Sequence, residues 1–210
     1  MPGIVTAHRV IAGFYGKMPA RGDFVRAALP RDFTDPWDEW MQTMIAGSRA
    51  LMGDDWLPAY LEAPIWRFTL PAGWCGAHAV MGLMLPSVDK AGRYFPLTFA
   101  ALGHGKAITA DEGWLDRAEE AGLDALEHDT DPDGVTLMLG EPPIPHAAAG
   151  EEGVGVWWTS GSPRVEASRL TLASMPDVPA FALMLGARTA DANIPPGEHV
   201  AQDVSWEVPS

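Results

Sequence analysis

The residues whose types and spacing come nearest to a chemical motif lie in one acidic run. Asp129-Thr130-Asp131-Pro132-Asp133-Gly134 places carboxylates at positions one, three and five and glycine at six, the first half of a calcium-binding loop. Such a loop closes on its cation with a bidentate glutamate at position twelve. Here position twelve is Gly140, and Glu141 falls one place late. A solvated acidic turn accounts for the same residues. Gly13-Phe14-Tyr15-Gly16-Lys17 has the look of a phosphate-binding loop's end, but the glycine spacing is wrong and Met18-Pro19 follows where Ser or Thr would be needed. Its glycines suit a chain that must turn closely after a first strand.

Other chemistry finds less support. The six histidines (His8, His78, His104, His128, His146, His199) form no pair at i, i+3 or i, i+4, so no zinc ligand set is expected. No G-x-S-x-G elbow is present, since Ser160 and Ser162 stand out of frame. The single cysteine, Cys75, sits between Trp74 and Gly76 with no adjacent cation to favour a thiolate, and reads as a small buried hydrophobe. Arg21-Gly22-Asp23 would be an adhesion tripeptide only in a secreted chain. No catalytic residue, metal or cofactor is expected, and the reading is of a protein that is not an enzyme.

The elements that would position these residues come from periodicity. Asp35 can cap a helix from about Pro36 to Met52, with proline at its first position and Trp37, Trp40, Met41, Met44, Ile45 and Leu51 as one apolar stripe. Gly53 stops it. A second helix is predicted from about Ala110 to His128, with Thr109 and Glu112 as a capping box and Trp114, Leu115, Ala118, Ala121, Ala125 and Leu126 facing inward. Between Asp111 and Glu152 stand thirteen acids and one base, Arg117. Strands are predicted at Ile65 to Leu70, Val80 to Leu85, Phe95 to Leu102, Val135 to Leu139, Val154 to Thr159 and Phe181 to Leu185, with Val10 to Phe14 a further candidate. The unbroken apolar run at Val80 to Leu85 marks a central strand covered on both faces. Short links between the first three imply an antiparallel meander.

The expected fold is therefore α+β, a single domain over residues 1–190 with a largely antiparallel central sheet of about five to seven strands packed by helices. The proline-rich loop 141–153 is expected to be an exposed connection, and residues 191–210 a loosely attached tail. Trp37, Trp40, Trp66 and Trp114 are expected in the core, whereas Trp157 and Trp158, adjacent in a strand, must face opposite ways. The chain has 210 residues, 47% of them hydrophobic, and a net charge of −14. That charge repels phosphate backbones and anionic headgroups, so neither nucleic acid nor a membrane surface is an expected partner. No basic segment precedes a long apolar run at the amino terminus, and no stretch is apolar enough to span a bilayer, so a cytoplasmic protein without membrane insertion is expected.

Several blocks go beyond composition. GFYGKMPARGDFVR at 13–26, DPWDEW at 35–40, AYLEAPIWRF at 59–68 and GLMLPSVDKAGRYFPLT at 82–98 resemble the signature of the TagF family of type VI secretion-associated proteins. WLDRAEEAGLDALE and VWWTSG follow in the order expected for that family, extending the likeness to about residue 161. The resemblance implies a cytosolic accessory protein that represses the secretion machine after translation by binding its forkhead-associated scaffold protein. It also implies a single α+β domain with a loose likeness to longin-type adaptors, and it assigns no catalytic residue.

A binding role directs attention to the bases of an otherwise acidic chain. Lys17, Arg21 and Asp23 lie in one turn, and Asp89, Arg93 and Tyr94 in another, and these six are the candidate partner-binding residues. Two readings stand side by side: the charges grip a partner, or Arg21 with Asp23 and Asp89 with Arg93 pair internally and hold the turns. The alternative function is an enzyme or calcium-binding module built on the acidic segment 111–133.

Overall fold

A computed structural model describes residues 10–143 and 153–188 of the chain. The tail 191–210 and most of the loop 141–153 lie outside the described residues. The chain runs β1 (Ile11–Gly16), β2 (Val25–Ala27), α1 (Arg31–Met52), α2 (Trp56–Leu61), β3 (Trp66–Leu70), β4 (Ala79–Leu85), β5 (Leu97–Gly103), α3 (Glu112–Glu127), α4 (Pro132–Leu139), β6 (Gly155–Thr159), β7 (Ser168–Leu172) and α5 (Val178–Met184). The strands form one seven-stranded sheet in the order β2-β1-β5-β4-β3-β6-β7, antiparallel throughout. This is the α+β single-domain architecture that the sequence predicts.

The central position of β4 follows from its residues. All seven are buried, and they divide between two cores by strict alternation. Val80 and Met84 join the core under α1, α2 and α5, whereas Ala79, Met81, Leu83 and Leu85 join the core under α3 and α4. Neighbouring β3 alternates differently. Trp66, Phe68 and Leu70 enter the first core, while Arg67 turns toward α3. Polar anchors fix α1 and α5 on the sheet, the indole of Trp37 donating to Thr98 Oγ1 at 3.0 Å and that of Trp66 to the Met184 carbonyl at 3.0 Å, while the Trp40 indole ties α1 to the link before α5 through the Pro176 carbonyl at 2.9 Å. Trp157 is buried among Trp37, Trp40 and Phe68, and Trp158 on the opposite face lies beneath the Arg169 guanidinium.

Several predicted boundaries are corrected. α1 begins at Arg31, not Pro36, with Pro30 at its cap position, so Asp35 caps nothing and Pro36 lies inside the helix. The buried Phe33 and Thr34 supply the extra turn, and their amides bond the Pro30 carbonyl at 3.2 and 3.0 Å. α3 is capped by Asp111, whose side chain accepts from the Trp114 amide at 2.9 Å, in place of the Thr109–Glu112 box. Val135 to Leu139 and Phe181 to Leu185 are helical, not extended, because Asp131 and Asp177 cap helices with proline in the first turn. β2, α2 and β7 are elements that the periodicity does not reveal. Among the described residues, no helix is long and apolar enough to cross a membrane.

Candidate functional site

The two turns carrying the candidate residues meet at one end of the sheet. β1 ends in Gly16, and the next residue, Lys17, turns inward with only 4% of its surface exposed. Two glycines let the chains approach: a Cβ at Gly13 would sit 2.0 Å from the Ala27 carbonyl oxygen, and one at Gly16 2.1 Å from that of Pro96. The Lys17 ammonium bonds the carboxylate of Asp89, itself 3% exposed, on the β4–β5 connection. Asp89 also accepts from the Ala91 and Arg93 amides, each at 2.9 Å, and from Arg93 Nε at 2.7 Å. Burial alone would favour the neutral acid. The Lys17 ammonium, the two amides and the guanidinium outweigh it and hold the carboxyl well below the usual carboxylate range.

Main-chain bonds lock one turn to the other. The Lys90 amide donates to the Arg21 carbonyl at 3.0 Å, Ser87 Oγ donates to the Lys17 carbonyl at 2.7 Å, and the Arg93 guanidinium donates to the Gly22 carbonyl. Of the proposed internal pairs, Asp89–Arg93 forms. Arg21 does not pair with Asp23, which stands 3.8 Å from Arg93 on the surface. The six candidates thus separate into layers. Lys17 and Asp89 are the buried latch, Tyr94 is half-buried, and Arg21, Asp23 and Arg93 are exposed around it.

Aromatic rings seat the latch on the rest of the molecule. Phe24, 43% exposed, stacks on Tyr15 with centroids 5.5 Å apart and meets the edge of Phe95 at 4.7 Å. The Lys17 ammonium lies 4.6 Å from the Phe24 ring. Tyr15 donates to Asp38 Oδ1 of α1 at 2.7 Å, and burial together with that carboxylate pushes its phenol upward. Tyr94 packs edge-on against Trp56 and Tyr60, and the Tyr60 hydroxyl both donates to the Ser87 carbonyl at 2.9 Å and accepts from the Ser87 amide at 3.1 Å. Phe24, Tyr15 and Ser87 are site residues that sequence reasoning missed. For Phe24 the available signal was its place directly after the charged Arg21-Gly22-Asp23; Tyr15 and Ser87 carried none.

The acidic segment is organised otherwise. Arg67 bonds Glu112 at 2.8 Å, Asp116 at 2.7 Å and Glu119 at 2.8 Å, so the carboxylates of one α3 face converge on a single guanidinium beside a 440 Å³ depression. The calcium-like hexapeptide does not wrap a cavity. α4 starts inside it at Pro132, and Asp131 is spent capping the Gly134 amide at 2.9 Å. Asp124 is engaged by His128 and Thr130. Among the described residues, no group of three or more His, Cys, Asp or Glu side chains is disposed to hold a metal ion. Cys75 is buried 3.8 Å from the Phe33 carbonyl, and burial pushes its thiol up to about 12.

The structure is an antiparallel α+β domain with two charged turns braced against each other at one end of its sheet. Residues 13–140 match the N-terminal domain of TagF, described as type VI secretion system-associated, and the chain belongs to this family. The crystal structure of PA0076 from Pseudomonas aeruginosa PAO1, determined at 2.05 Å resolution, is similar, with a TM-score of 0.75 and 33% sequence identity over 84% of this chain and 94% of that one. Among curated proteins none matches. The family span runs from β1 to the end of α4 and contains every candidate residue, whereas β6, β7 and α5 complete the sheet and one helical layer beyond it.

Proposed function

We propose that this chain is a non-enzymatic regulator of the type VI secretion system, a post-translational repressor that acts in the cytoplasm by binding the forkhead-associated scaffold protein. The observation that carries the reading is the basic cap. Arg21, Lys90 and Arg93 are exposed around a latch that fixes their backbone, on a chain whose net charge is −14. A rigid frame lowers the ordering cost of association, and an exposed aromatic such as Phe24 among guanidinium groups has the composition of an interface hot spot. Binding alone would suffice for repression, with no bond made or broken by this chain.

The test is capture of the purified scaffold by the purified full chain. Arg21→Glu combined with Lys90→Glu should weaken capture by roughly tenfold or more while leaving the melting temperature unchanged, because both side chains stand outside the latch. Failure of the scaffold to bind the folded wild-type chain would overturn the proposal.

A further inference from the structure

Beside the cap, α1 and the β4–β5 connection enclose an open groove of about 610 Å³. One wall is the outer face of α1, with Gln42, Ile45, Ala46 and Arg49, and the floor is Tyr94 and Phe95. Among the described residues that line it there is one guanidinium and no carboxylate, in a chain with 28 acids and 14 bases. Asp38, one turn earlier on α1, is occupied by the Tyr15 hydroxyl and the Gln42 amide. Arg49 is held over the Trp56 ring, its guanidinium carbon 5.2 Å from the centroid, whereas the Arg93 guanidinium, next in sequence to Tyr94, is engaged by Asp89 and the Gly22 carbonyl.

We propose that this groove is a docking slot for an acidic segment of a partner protein that carries an apolar side chain beside a carboxylate. The apolar wall and aromatic floor take the side chain, and the exposed Arg49 guanidinium at the margin takes a carboxylate bidentately. Charge decides between acidic and basic occupants. A basic segment would be drawn to the α3 face, where Glu112, Asp116 and Glu119 share one arginine. An acidic segment is repelled by most of this surface and is admitted where a guanidinium stands with no carboxylate beside it, as in this groove. The inference deepens the proposed function by locating the contact, and so rests on the reading of this end of the sheet as a binding surface.

The experiment uses the full chain and a fluorescein-labelled synthetic peptide in which a phenylalanine and a leucine are flanked on both sides by glutamates, followed by anisotropy at low salt. The same peptide with lysines for glutamates is the comparison. The glutamate peptide should bind and the lysine peptide should not compete. Ala46→Trp, which fills the groove from an exposed position, should reduce binding roughly tenfold with an unchanged melting temperature, and Arg49→Gln should reduce it about threefold. Absence of glutamate-peptide binding, equal binding of the lysine peptide, or indifference to Ala46→Trp would each overturn the slot. So would wild-type self-association that Ala46→Trp abolishes, since the occupant would then be a second copy. Scaffold capture is read in parallel. Capture that survives Ala46→Trp removes the slot and leaves the proposed function standing, whereas peptide binding without scaffold capture does the reverse.

Discussion

Lys17 and Asp89 face each other in the interior, 72 positions apart in the chain, and neither could stay charged there alone. Desolvating an ion pair offsets most of its attraction, but deleting one member strands the other, at a cost of about 3–5 kcal/mol. Lys17→Met should therefore lower stability by about 3 kcal/mol, the lower end because Arg93 still holds Asp89, as read from urea unfolding. The double substitution Lys17→Met with Asp89→Leu should recover part of that loss. The pH dependence has a definite sign. Asp89 is held low in the folded chain, so its contribution is whole above the ordinary value of about 3.9 and is lost as pH falls from there toward the folded value. Asp89→Asn should thus flatten the acid limb of the stability profile between about pH 4 and pH 2, and an unchanged acid limb would contradict the latch. The charges of this site were readable in the sequence. So was the local Asp89–Arg93 pair, but the Lys17–Asp89 pair was not, because nothing local distinguishes a lysine that will be buried by a distant turn from one that stays in water.

Elements longer than a few residues, with one clear period, were legible: the stripe on α1, the alternation of β3 and the apolar run of β4 fix type, face and central position. The failures have a common physical cause. VTLML and FALML are apolar enough for strands, and only the caps ahead of them decide otherwise. Asp131 bonds the Gly134 amide at 2.9 Å and Asp177 the Ala180 amide at 3.0 Å, each with proline in the first turn. Since those helices are short, their caps matter in proportion. Asp177→Ala should cost about 1 kcal/mol and shift hydrogen exchange first in α5. β2 was invisible for another reason. Its three residues have too few positions to display a period, and it exists because Gly13 and Gly16 allow its backbone, and that of Pro96, to close on β1.

At the scale of the molecule, sheet order and family boundary do not coincide. The match to the TagF N-terminal domain ends at residue 140, while β6 pairs with β3, β7 pairs with β6, and α5 rests on the core beneath α1. Trp157 supplies part of the aromatic packing around Trp37 and Phe68, and α5 supplies Phe181 against Trp40. A fragment excised at residue 140 would expose the backbone donors and acceptors of β3 to any passing strand, with a tryptophan-rich surface left bare beside them. Such an edge recruits its own kind, so the excised piece should form aggregates that bind thioflavin, where the full chain stays monodisperse. The practical boundary of this unit is therefore drawn by its hydrogen-bond ladder, and a shorter version made for binding studies would report on stickiness before it reported on recognition.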